Sequence, residues 1–307
     1  MAFGSPADAY TGANVAAMTP EVWSPIVNEP KFDDLTILNF VTDLSSYMTD
    51  GGDIVHVPDI YTNTFTVQTQ STQGAAITDE SVAQVDTYLT VNLHKYIGFL
   101  MGDLTIKQLA TKYSLNEKYA TECRKLLLGA IETSLFGLWS SISTNTVGDT
   151  ATVVTDLEVR QAVSALDSTS YELEQCAFFF HPTVFWLQLA GVTKYYDSSM
   201  NGKPSVIRTG AFGPMSSKNY KGTLYGIDLY TSSIVVKGLE TYRNLLLHSS
   251  AFGVAIQTMG GGRIRVQAQY KLENIGMLTV ADTMYGVAVL REPGAVLINA
   301  NDDASVS

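Results

Sequence analysis

The side chains of this sequence that could do chemistry are few and widely separated. No two of its histidines lie one helical turn apart, and the zinc-binding motif H-E-x-x-H does not occur. The nucleophile elbow G-x-S-x-G and the phosphate-binding loop G-x-x-x-x-G-K-S/T are also missing. We therefore expect no catalytic residues, and only a catalytic set assembled in space stays open as an alternative. The histidines are His56, His94, His181 and His248.

Carboxylates and thiols are the next candidates for a binding site. Two pairs of adjacent aspartates could bind a cation, but neighbours in sequence do not face one another on a helix, which favours solvated charge. Cys123 and Cys176 have no thiol or histidine nearby at metal-ligand spacing, which predicts two reduced, mostly buried thiols in a cytoplasmic protein. His181 precedes Pro182, which favours a strand-to-helix junction over a catalytic base. No metal and no cofactor are therefore expected. The aspartate pairs are Asp33 with Asp34 and Asp302 with Asp303.

The net charge of −11 in 307 residues is concentrated at one end of the chain. Residues 1–94 carry twelve acidic side chains and one basic side chain, Lys31, whereas residues 95–307 carry eighteen of each. One interpretation is solubility, because acidic surfaces resist aggregation. The other is that the acidic segment lies on a neighbouring subunit and meets basic residues there, which would set register and partner choice. The candidate contact residues are Asp33, Asp34, Asp79, Glu80 and Asp86 on the acidic side and Lys107, Lys112, Lys118, Arg124 and Lys125 on the basic side.

Composition argues against two other classes of protein. No apolar run approaches the roughly 18 residues that a membrane-spanning helix needs, and residues 1–10 lack the basic start and apolar block of a signal peptide. We therefore expect no membrane association. A nucleic-acid reader needs a basic face, and the nearest approach to one is a group of cations in a segment rich in Gly, Ser and Pro, which is typical of a solvated loop. These cations are Lys203, Arg208, Lys218 and Lys221.

Two β-strands with a long polar connection form the first strong structural pattern. The first is predicted over Thr62–Gln70 and the second over Val85–Ile97, with Ser71–Gln84 as an exposed tip between them. Apolar and polar residues alternate along the second strand, with Lys95 as the exception on the apolar face. An isolated two-stranded arm is only marginally stable in water. We therefore expect its apolar face to be covered by a neighbouring subunit.

A long helix is predicted after the arm. Ser114 and Glu117 form a capping box, and Leu115–Ser143 would span roughly 43 Å at about 1.5 Å per residue. Gly129 and Gly137 would mark bends or close helix contacts. Apolar residues at three- and four-residue spacings predict one buried stripe. The stripe consists of Leu115, Tyr119, Leu126, Leu127, Ala130, Ile131, Leu138, Trp139 and Ile142.

Shorter helices and strands make up the remaining chain, so the predicted fold class is α+β. Asn201–Gly222 is predicted to be a long loop because it is rich in Gly, Ser, Lys and Pro. The predicted helices begin after Thr19 and Pro20, cover Phe32–Tyr47, start at a capping box of Thr155 and Glu158, and start at Pro182. The predicted strands are Asp53–Pro58, Ala177–Phe180, Thr223–Tyr230, Asn244–Gln257, Ile264–Leu272 with one face buried, Met284–Leu290 and Ala295–Ile298.

The order of these elements resembles the major capsid protein of tailed bacteriophages over nearly the whole chain. No single motif carries the resemblance, because the matching segments are patterns of position and polarity. The segments are GGDIVHVPDI from Gly51 to Ile60, LHKYIGFLMGDLTIKQLA from Leu93 to Ala110, TDLEVRQAVSALD from Thr155 to Asp167, FFFHPTVFWLQL from Phe178 to Leu189, and RIRVQAQYKLENIGMLTVADTMYGVAVLREPGAVLI from Arg263 to Ile298.

The resemblance implies a division of the chain into the parts of that capsid fold. An extended β-hairpin, the E-loop, would follow an N-terminal arm, and a peripheral domain with a long spine helix would adjoin an axial domain. The implied parts are the arm over 1–50, the E-loop over 54–100, the peripheral domain over 101–149 and 263–280 with its spine helix over 115–143, the axial domain over 150–262 and 281–300, and a polar tail over 301–307.

The same resemblance implies a structural role. Copies of the chain would form pentamers and hexamers of an icosahedral virion head, assembled in the bacterial host cytoplasm, with the E-loop lying over an adjacent subunit. The head would enclose double-stranded DNA without sequence-specific binding. A portal protein at one vertex, a separate scaffolding protein and a decoration protein would be its partners.

Some members of that family cross-link an E-loop lysine to a neighbouring subunit, but Ser71–Gln84 contains no lysine, so this cross-link is not expected. Two alternatives stay open. One is an encapsulin-like cellular shell with the same fold, and the other is an oligomeric α+β enzyme whose arm is a dimerisation hairpin.

Overall fold

The computed structural model of this chain describes residues 35–48, 51–59, 67–69, 74, 76, 80, 85–103, 115–169, 171–190, 192, 219–238, 240–258 and 262–302. The helix predicted after Thr19, the capping box at Ser114 and most of the loop predicted over Asn201–Gly222 lie outside these residues. The first arm strand, Thr62–Gln70, also lies outside them apart from residues 67–69.

Helices and strands both contribute heavily to the described residues, as the α+β prediction requires. The helices are α1 Leu115–Gly137, α2 Asp156–Ser168 and α3 Pro182–Val184, which continues as a π-helical turn over Phe185–Leu189. Short 3-10 turns cover Ser45–Met48, Leu138–Ser141, Leu173–Gln175, Leu272–Asn274 and Glu292–Gly294. The strands are β1 Thr42–Asp43, β2 Ile54–Asp59, β3 Val85–Thr90, β4 Leu93–Gly102, β5 Thr146–Val147, β6 Cys176–Phe180, β7 Tyr220–Leu224, β8 Ile227–Thr231, β9 Thr241–His248, β10 Phe252–Gln257, β11 Arg265–Lys271, β12 Gly276–Val289 and β13 Ala295–Asn301.

The first sheet is organised around β12, a strand of 14 residues. β4 pairs along one edge of β12, while β11 and then β10 pair along the other edge, all antiparallel. The two-residue strand β1 adds to β10 in parallel. The predicted strand over Met284–Leu290 is therefore only the second half of a longer one. The domain bounds given above stay a prediction. In the structure, β10 and all of β12 belong to the same sheet as β4 and β11.

The second sheet has the strand order β5-β13-β9-β6-β8-β7 and is buried on both faces. Phe178 and Phe180 of β6 point to one face, where they pack with α2 and the turn after α3. Phe179 points to the other face, where α1 and β10 form a second core cluster. A strand that is covered on both faces needs apolar residues at every position, which accounts for the continuous run in Cys176–Phe180.

The strand predicted over Val85–Ile97 is wrong as a single element. β3 pairs with β2 in a two-stranded sheet, whereas β4 belongs to the first sheet, with only Val91 and Asn92 between the two strands. Exposure nevertheless alternates from Asp86 through Leu100, as predicted. β3 and β4 turn the same set of alternate residues toward the body of the molecule. The alternation therefore continues across the break and gives no sign of it. β2 confirms the strand predicted over Asp53–Pro58 within one residue at each end.

The long helix is confirmed, although its buried face differs from the predicted stripe. The α-helix ends at Gly137 and a 3-10 turn continues to Ser141. Tyr119 and Leu126 are each 44% exposed, contrary to the prediction. The buried row instead follows a four-residue spacing, because that row faces β12 and the second sheet. Its members are Cys123, Leu127, Ile131 and Leu135.

Three further predictions need correction. Residues 35–48, part of the helix predicted over Phe32–Tyr47, form a turn, β1 and a 3-10 turn, because β1 pairs with β10. The strand predicted over Thr223–Tyr230 is a β7–β8 hairpin whose turn at Tyr225 and Gly226 has φ of 56° and 84°, as in a type I′ turn. The strand predicted over Asn244–Gln257 is two strands, β9 and β10, which belong to different sheets.

β11 also departs from its predicted burial. It was expected to bury one face, but residues 267–275 are exposed on both faces of the chain. Other predictions are confirmed: the capping box at Thr155 opens α2, with its N–H donating to Glu158 at 2.9 Å, and Pro182 begins α3. β6 and β13 extend the strands predicted over Ala177–Phe180 and Ala295–Ile298 by a few residues.

Candidate assembly surfaces

The base of the β-arm, formed by β2 and β3, is covered by the chain's own body. Leu89 and Val91 are buried in a cluster with Leu44, Met48 and Ala255. The expectation that a neighbouring subunit covers the apolar face is therefore wrong for the described part of the arm. Leu44, the 3-10 turn at Ser45–Met48 and β10 supply this cover. Val91 N–H also donates to the Asp53 carbonyl at 2.7 Å. The arm begins as a rigid extension of the body.

The opposite face of the β-arm is the one that it presents to solvent. Tyr88 is 61% exposed and Ile54 is 43% exposed. His56 lies against both β3 residues on this face, with its Nδ1 2.6 Å from the Asp86 carboxylate and its ring centroid 6.4 Å from that of Tyr88. An exposed ion pair contributes little to stability. The face therefore offers a partner an aromatic and aliphatic patch with a charged rim.

A buried carboxylate joins the three strands at the centre of the first sheet. Asp282 of β12 accepts two hydrogen bonds from the Arg265 guanidinium of β11, at 2.9 and 2.6 Å, and lies 3.0 Å from His94 Nε2 of β4. The hydrogen bond from Arg265 is the main cause that lowers the pKa of Asp282, and His94 adds to it. This bidentate geometry fixes the register of β11 and β4 on β12. Asp282 was not predicted from the sequence, where its only signal is an acid within an apolar run.

A second buried carboxylate holds the start of the described chain on the long helix. Glu132 of α1 is fully buried, and its Oε1 accepts hydrogen bonds from Thr36 N–H at 2.6 Å, Thr36 Oγ1 at 2.8 Å and Ile37 N–H at 3.0 Å. It thereby supplies acceptors for the first N–H groups of the turn at Ile37, as a cap does at a helix N-terminus. Thr36 and Ile37 are therefore attached to the C-terminal half of α1.

The end of the first sheet where β11 turns into β12 exposes large apolar side chains. Leu272 is 82% exposed and Ile275 is 66% exposed. Ile275 has φ 45° and ψ 60°, a left-handed conformation that a β-branched residue rarely adopts. Its carbonyl accepts from Asp103 N–H at 3.1 Å, and Asp103 accepts from the Tyr270 hydroxyl at 3.0 Å. The turn is thus held in a strained form that keeps both aliphatic side chains outside the core.

The structure brings together few of the contact residues predicted from the sequence. Glu80 accepts a hydrogen bond from Gln68 at 3.1 Å, and Asp86 lies on the exposed face of the β-arm. Lys118, Arg124 and Lys125 lie on α1, the last two exposed. The pairing of the acidic segment with these cations on another subunit stays a prediction. The remaining candidates, Asp33, Asp34, Asp79, Lys107 and Lys112, lie outside the described residues.

The cysteines and the candidate metal ligands of the described part of the chain can be located in the structure. Within it, no group of three His, Cys, Asp or Glu side chains is placed to bind a metal ion. Burial raises the pKa of the Cys176 thiol to about 11 and also raises that of Cys123, which makes both thiols unreactive. The His181 ring accepts from Thr183 N–H at 3.2 Å and caps α3, which confirms the strand-to-helix junction.

None of the helices in the described residues combines the length and the apolarity that crossing a membrane requires. An open cleft of about 200 Å³ lies between the β-arm and the body. Val57, Pro58 and Thr87 line it on the arm side, and mostly apolar atoms form its walls.

Comparison with solved structures places this geometry among phage capsids. A structure from Mycobacterium phage Che8 has a TM-score of 0.74 and 18% identity over 91% of this chain and 96% of that chain. The capsid structure of the cyanophage P-SCSP1u has a TM-score of 0.69 and 13% identity over 94% of each chain. The mature capsid of bacteriophage PhiM1 has a TM-score of 0.67 and 12% identity over 91% of each chain. No protein-family model matches the sequence, and no curated protein matches it. The likeness extends over nearly the full length of both chains, and this chain has the fold of phage capsid proteins.

Proposed function

We propose that this chain is the major capsid protein of a tailed bacteriophage. Its copies form pentamers and hexamers that build an icosahedral head around double-stranded DNA. The observation that carries this proposal is the extent of the structural match, which takes in the body, the β-arm and the long helix together. The capsid chains of cyanophage P-SCSP1u and bacteriophage PhiM1 match over 94% and 91% of their own lengths. The proposed role is structural and needs no catalytic step.

The exposed apolar residues support a chain that is completed by its neighbours. Tyr88 on the β-arm, and Leu272 and Ile275 on the β11–β12 turn, lie at two separate places and belong to none of the core clusters. Burying such side chains releases roughly 1.5–3 kcal/mol each relative to leaving them in water. In a shell, contacts with adjacent copies bury these side chains, and the rigid body formed by the two sheets carries them into register.

The distribution of charge supports a particular pairing of surfaces in those contacts. The acidic N-terminal third of one copy lies across the basic part of α1 in another, where Lys118, Arg124 and Lys125 meet it. The enclosed DNA makes no sequence-specific contacts, in keeping with the absence of a basic face in the sequence. We infer a portal protein, a separate scaffolding protein and a decoration protein as further partners, and assembly in the host cytoplasm before release in the virion.

The test is to purify the chain after expression alone and with a scaffolding protein encoded beside it, and to examine both samples by sedimentation and negative-stain electron microscopy. We expect hollow shells, tubes or sheets of capsomer-like rings. A discrete dimer or tetramer in both samples would overturn the proposal and favour an oligomeric enzyme. Closed shells that copurify with an enclosed enzyme would instead favour an encapsulin-like compartment.

A further inference from the structure

The angle of the β-arm to the body is decided at one short joint. β3 ends at Thr90 and β4 begins at Leu93, so two residues connect the two-stranded sheet of the arm with the first sheet. Val91 N–H is bonded to the Asp53 carbonyl, which ties both arm strands together at this point. The joint therefore couples the orientation of both arm strands to that of β4.

A row of β12 side chains forms the floor on which the joint lies. Met284, Ala288 and Leu290 pack against the buried cluster that contains Leu89 and Val91. Residues two apart on a strand share a face, so Gly286 lies in the same row between Met284 and Ala288. At this position the row has no side chain, and Gly286 is itself buried.

The backbone of β3 occupies the place of the missing side chain. A Cβ on Gly286 would lie 2.1 Å from the Thr90 carbonyl oxygen, 2.7 Å from its carbonyl carbon and 3.0 Å from Leu89 Cδ2. Two of these atoms belong to the backbone, so no side-chain rotation relieves the overlap. Gly286 does not have a left-handed φ, and its backbone suits any residue. What excludes a side chain here is contact with the arm.

The arm has open space beside it as well as this close contact. The cleft of about 200 Å³ separates Val57, Pro58 and Thr87 of the arm from Ser250 and Leu290 of the body. An arm that is pushed off Gly286 can therefore rotate without opening the core clusters beneath α1 and the second sheet.

We propose that Gly286 is the positioning residue of the β-arm and that the resulting arm angle sets the angle between neighbouring subunits. The second half of this inference rests on the proposed capsid function, since only in a shell does the arm reach an adjacent copy. In such a shell, the angle between neighbouring subunits determines the curvature. A methyl group at position 286 changes the diameter or the closure of the shell.

The arm angle can be measured in the unassembled chain by electron–electron double resonance. Nitroxide labels are placed at Ala76→Cys in the arm tip and Gln161→Cys on α2, both exposed positions. Cys123 and Cys176 are buried and do not compete for the label. We expect Gly286→Ala to shift the distance between the labels by several ångströms. Gly102→Ala is the control in the same sheet, because a Cβ there meets no atom within 4 Å, and it leaves the distance unchanged.

A second variant approaches the joint from the cleft and serves if Gly286→Ala does not fold. Thr87→Leu adds a larger side chain on the cleft side of the arm, and we expect it to change the distance as well. Electron microscopy then compares the assembled products, with Gly102→Ala giving parental shells and the other two giving altered diameters or open sheets. An unchanged distance in both variants would overturn the positioning role. A changed distance with shells of parental diameter would overturn the link to curvature. If the parental chain forms no shell, the capsid function fails separately, and the distance still decides the role of Gly286.

Discussion

Glu292 is the residue whose protonation is most strongly coupled to folding among the groups with a resolved shift. Its Oε1 accepts hydrogen bonds from the N–H and hydroxyl groups of Ser143 and Thr144, at 2.7 to 3.1 Å. The Ser143 backbone N–H is the main cause that lowers the pKa of Glu292 from 4.5 to about 2. Because the folded pKa lies below the unfolded value, the stabilisation is complete above about pH 4.5 and is lost as the pH falls toward 2.

Glu292→Gln should therefore lower the free energy of unfolding by about 1 kcal/mol at neutral pH, after allowance for solvent screening of a partly exposed group. The difference in unfolding free energy between this variant and the parental chain should shrink as the pH falls toward 2. Urea unfolding of the unassembled chain at several pH values measures both effects. Glu174→Gln, an exposed carboxylate in another 3-10 turn, is the control. A difference that stays constant over the acidic range would contradict the assignment.

Asp282 carries a different prediction, because its carboxylate is buried and joins three strands. Asp282→Asn removes the charge that the Arg265 guanidinium and His94 share, and should cost on the order of 2 kcal/mol in unfolding free energy. Asp43→Asn is the matched control, since Asp43 pairs with Arg263 at a more exposed position. Chemical denaturation compares the two. Equal losses in both variants would show that burial of Asp282 adds nothing to the interaction.

At the scale of elements, Glu132 makes the polar contacts that attach residues 36 and 37 to α1, beside the apolar contacts of Ile37, Leu38 and Val41. Glu132→Ala leaves Thr36 and Ile37 without the acceptor that Oε1 provides, and should cost roughly 2–4 kcal/mol because buried donors lose their partners. Hydrogen exchange of the backbone amides should rise over residues 36–41 while β6 and β9 stay protected. Arg124→Ala, at an exposed position of the same helix, should change neither. Protection of residues 36–41 that survives the substitution would rule out this anchoring role.

Local signals of alternation and capping were readable from the sequence, whereas the turns between consecutive strands were not. Alternation located β3 and β4, and the Thr155 capping box located the start of α2, because both signals are local. β9 and β10 were predicted as one strand because both are buried on both faces and are therefore apolar along almost their whole length. The short turn at Ser249–Ala251 did not separate them in the prediction. The break after Thr90 was hidden for the opposite reason, since the period of two continues across it.

The assembly surfaces were less predictable than the elements. Glu132 contacts Ile37 and Thr36, which lie 95 and 96 positions away in the sequence. Asp282 contacts His94, which lies 188 positions away. Such pairs are decided by sheet order, which a single sequence does not reveal. The exposure of Leu272 and Ile275 was hidden for a similar reason, because an apolar residue in an alternating strand is normally assigned to a core.

At the scale of the whole molecule, the core and the arm have separate roles. The four core clusters are built from the two sheets, α1, α2 and the base of the arm, and they include no described residue between 58 and 88. We therefore expect the body to fold without the tip of the arm. Assembly does depend on it if the arm is what reaches an adjacent subunit.

Deleting Ser71–Gln84 should accordingly leave the thermal unfolding of the unassembled chain close to that of the parent, while abolishing shells. A second variant, Asp79→Asn with Glu80→Gln, keeps the length of the tip and removes only its charge. If charge complementarity chooses the partner, this variant should assemble more slowly and lose the salt dependence of its assembly rate, yet still form shells. Calorimetry measures the first effect, and light scattering with electron microscopy measures the second. Shells of normal size from the deleted chain would show that the tip has no part in assembly.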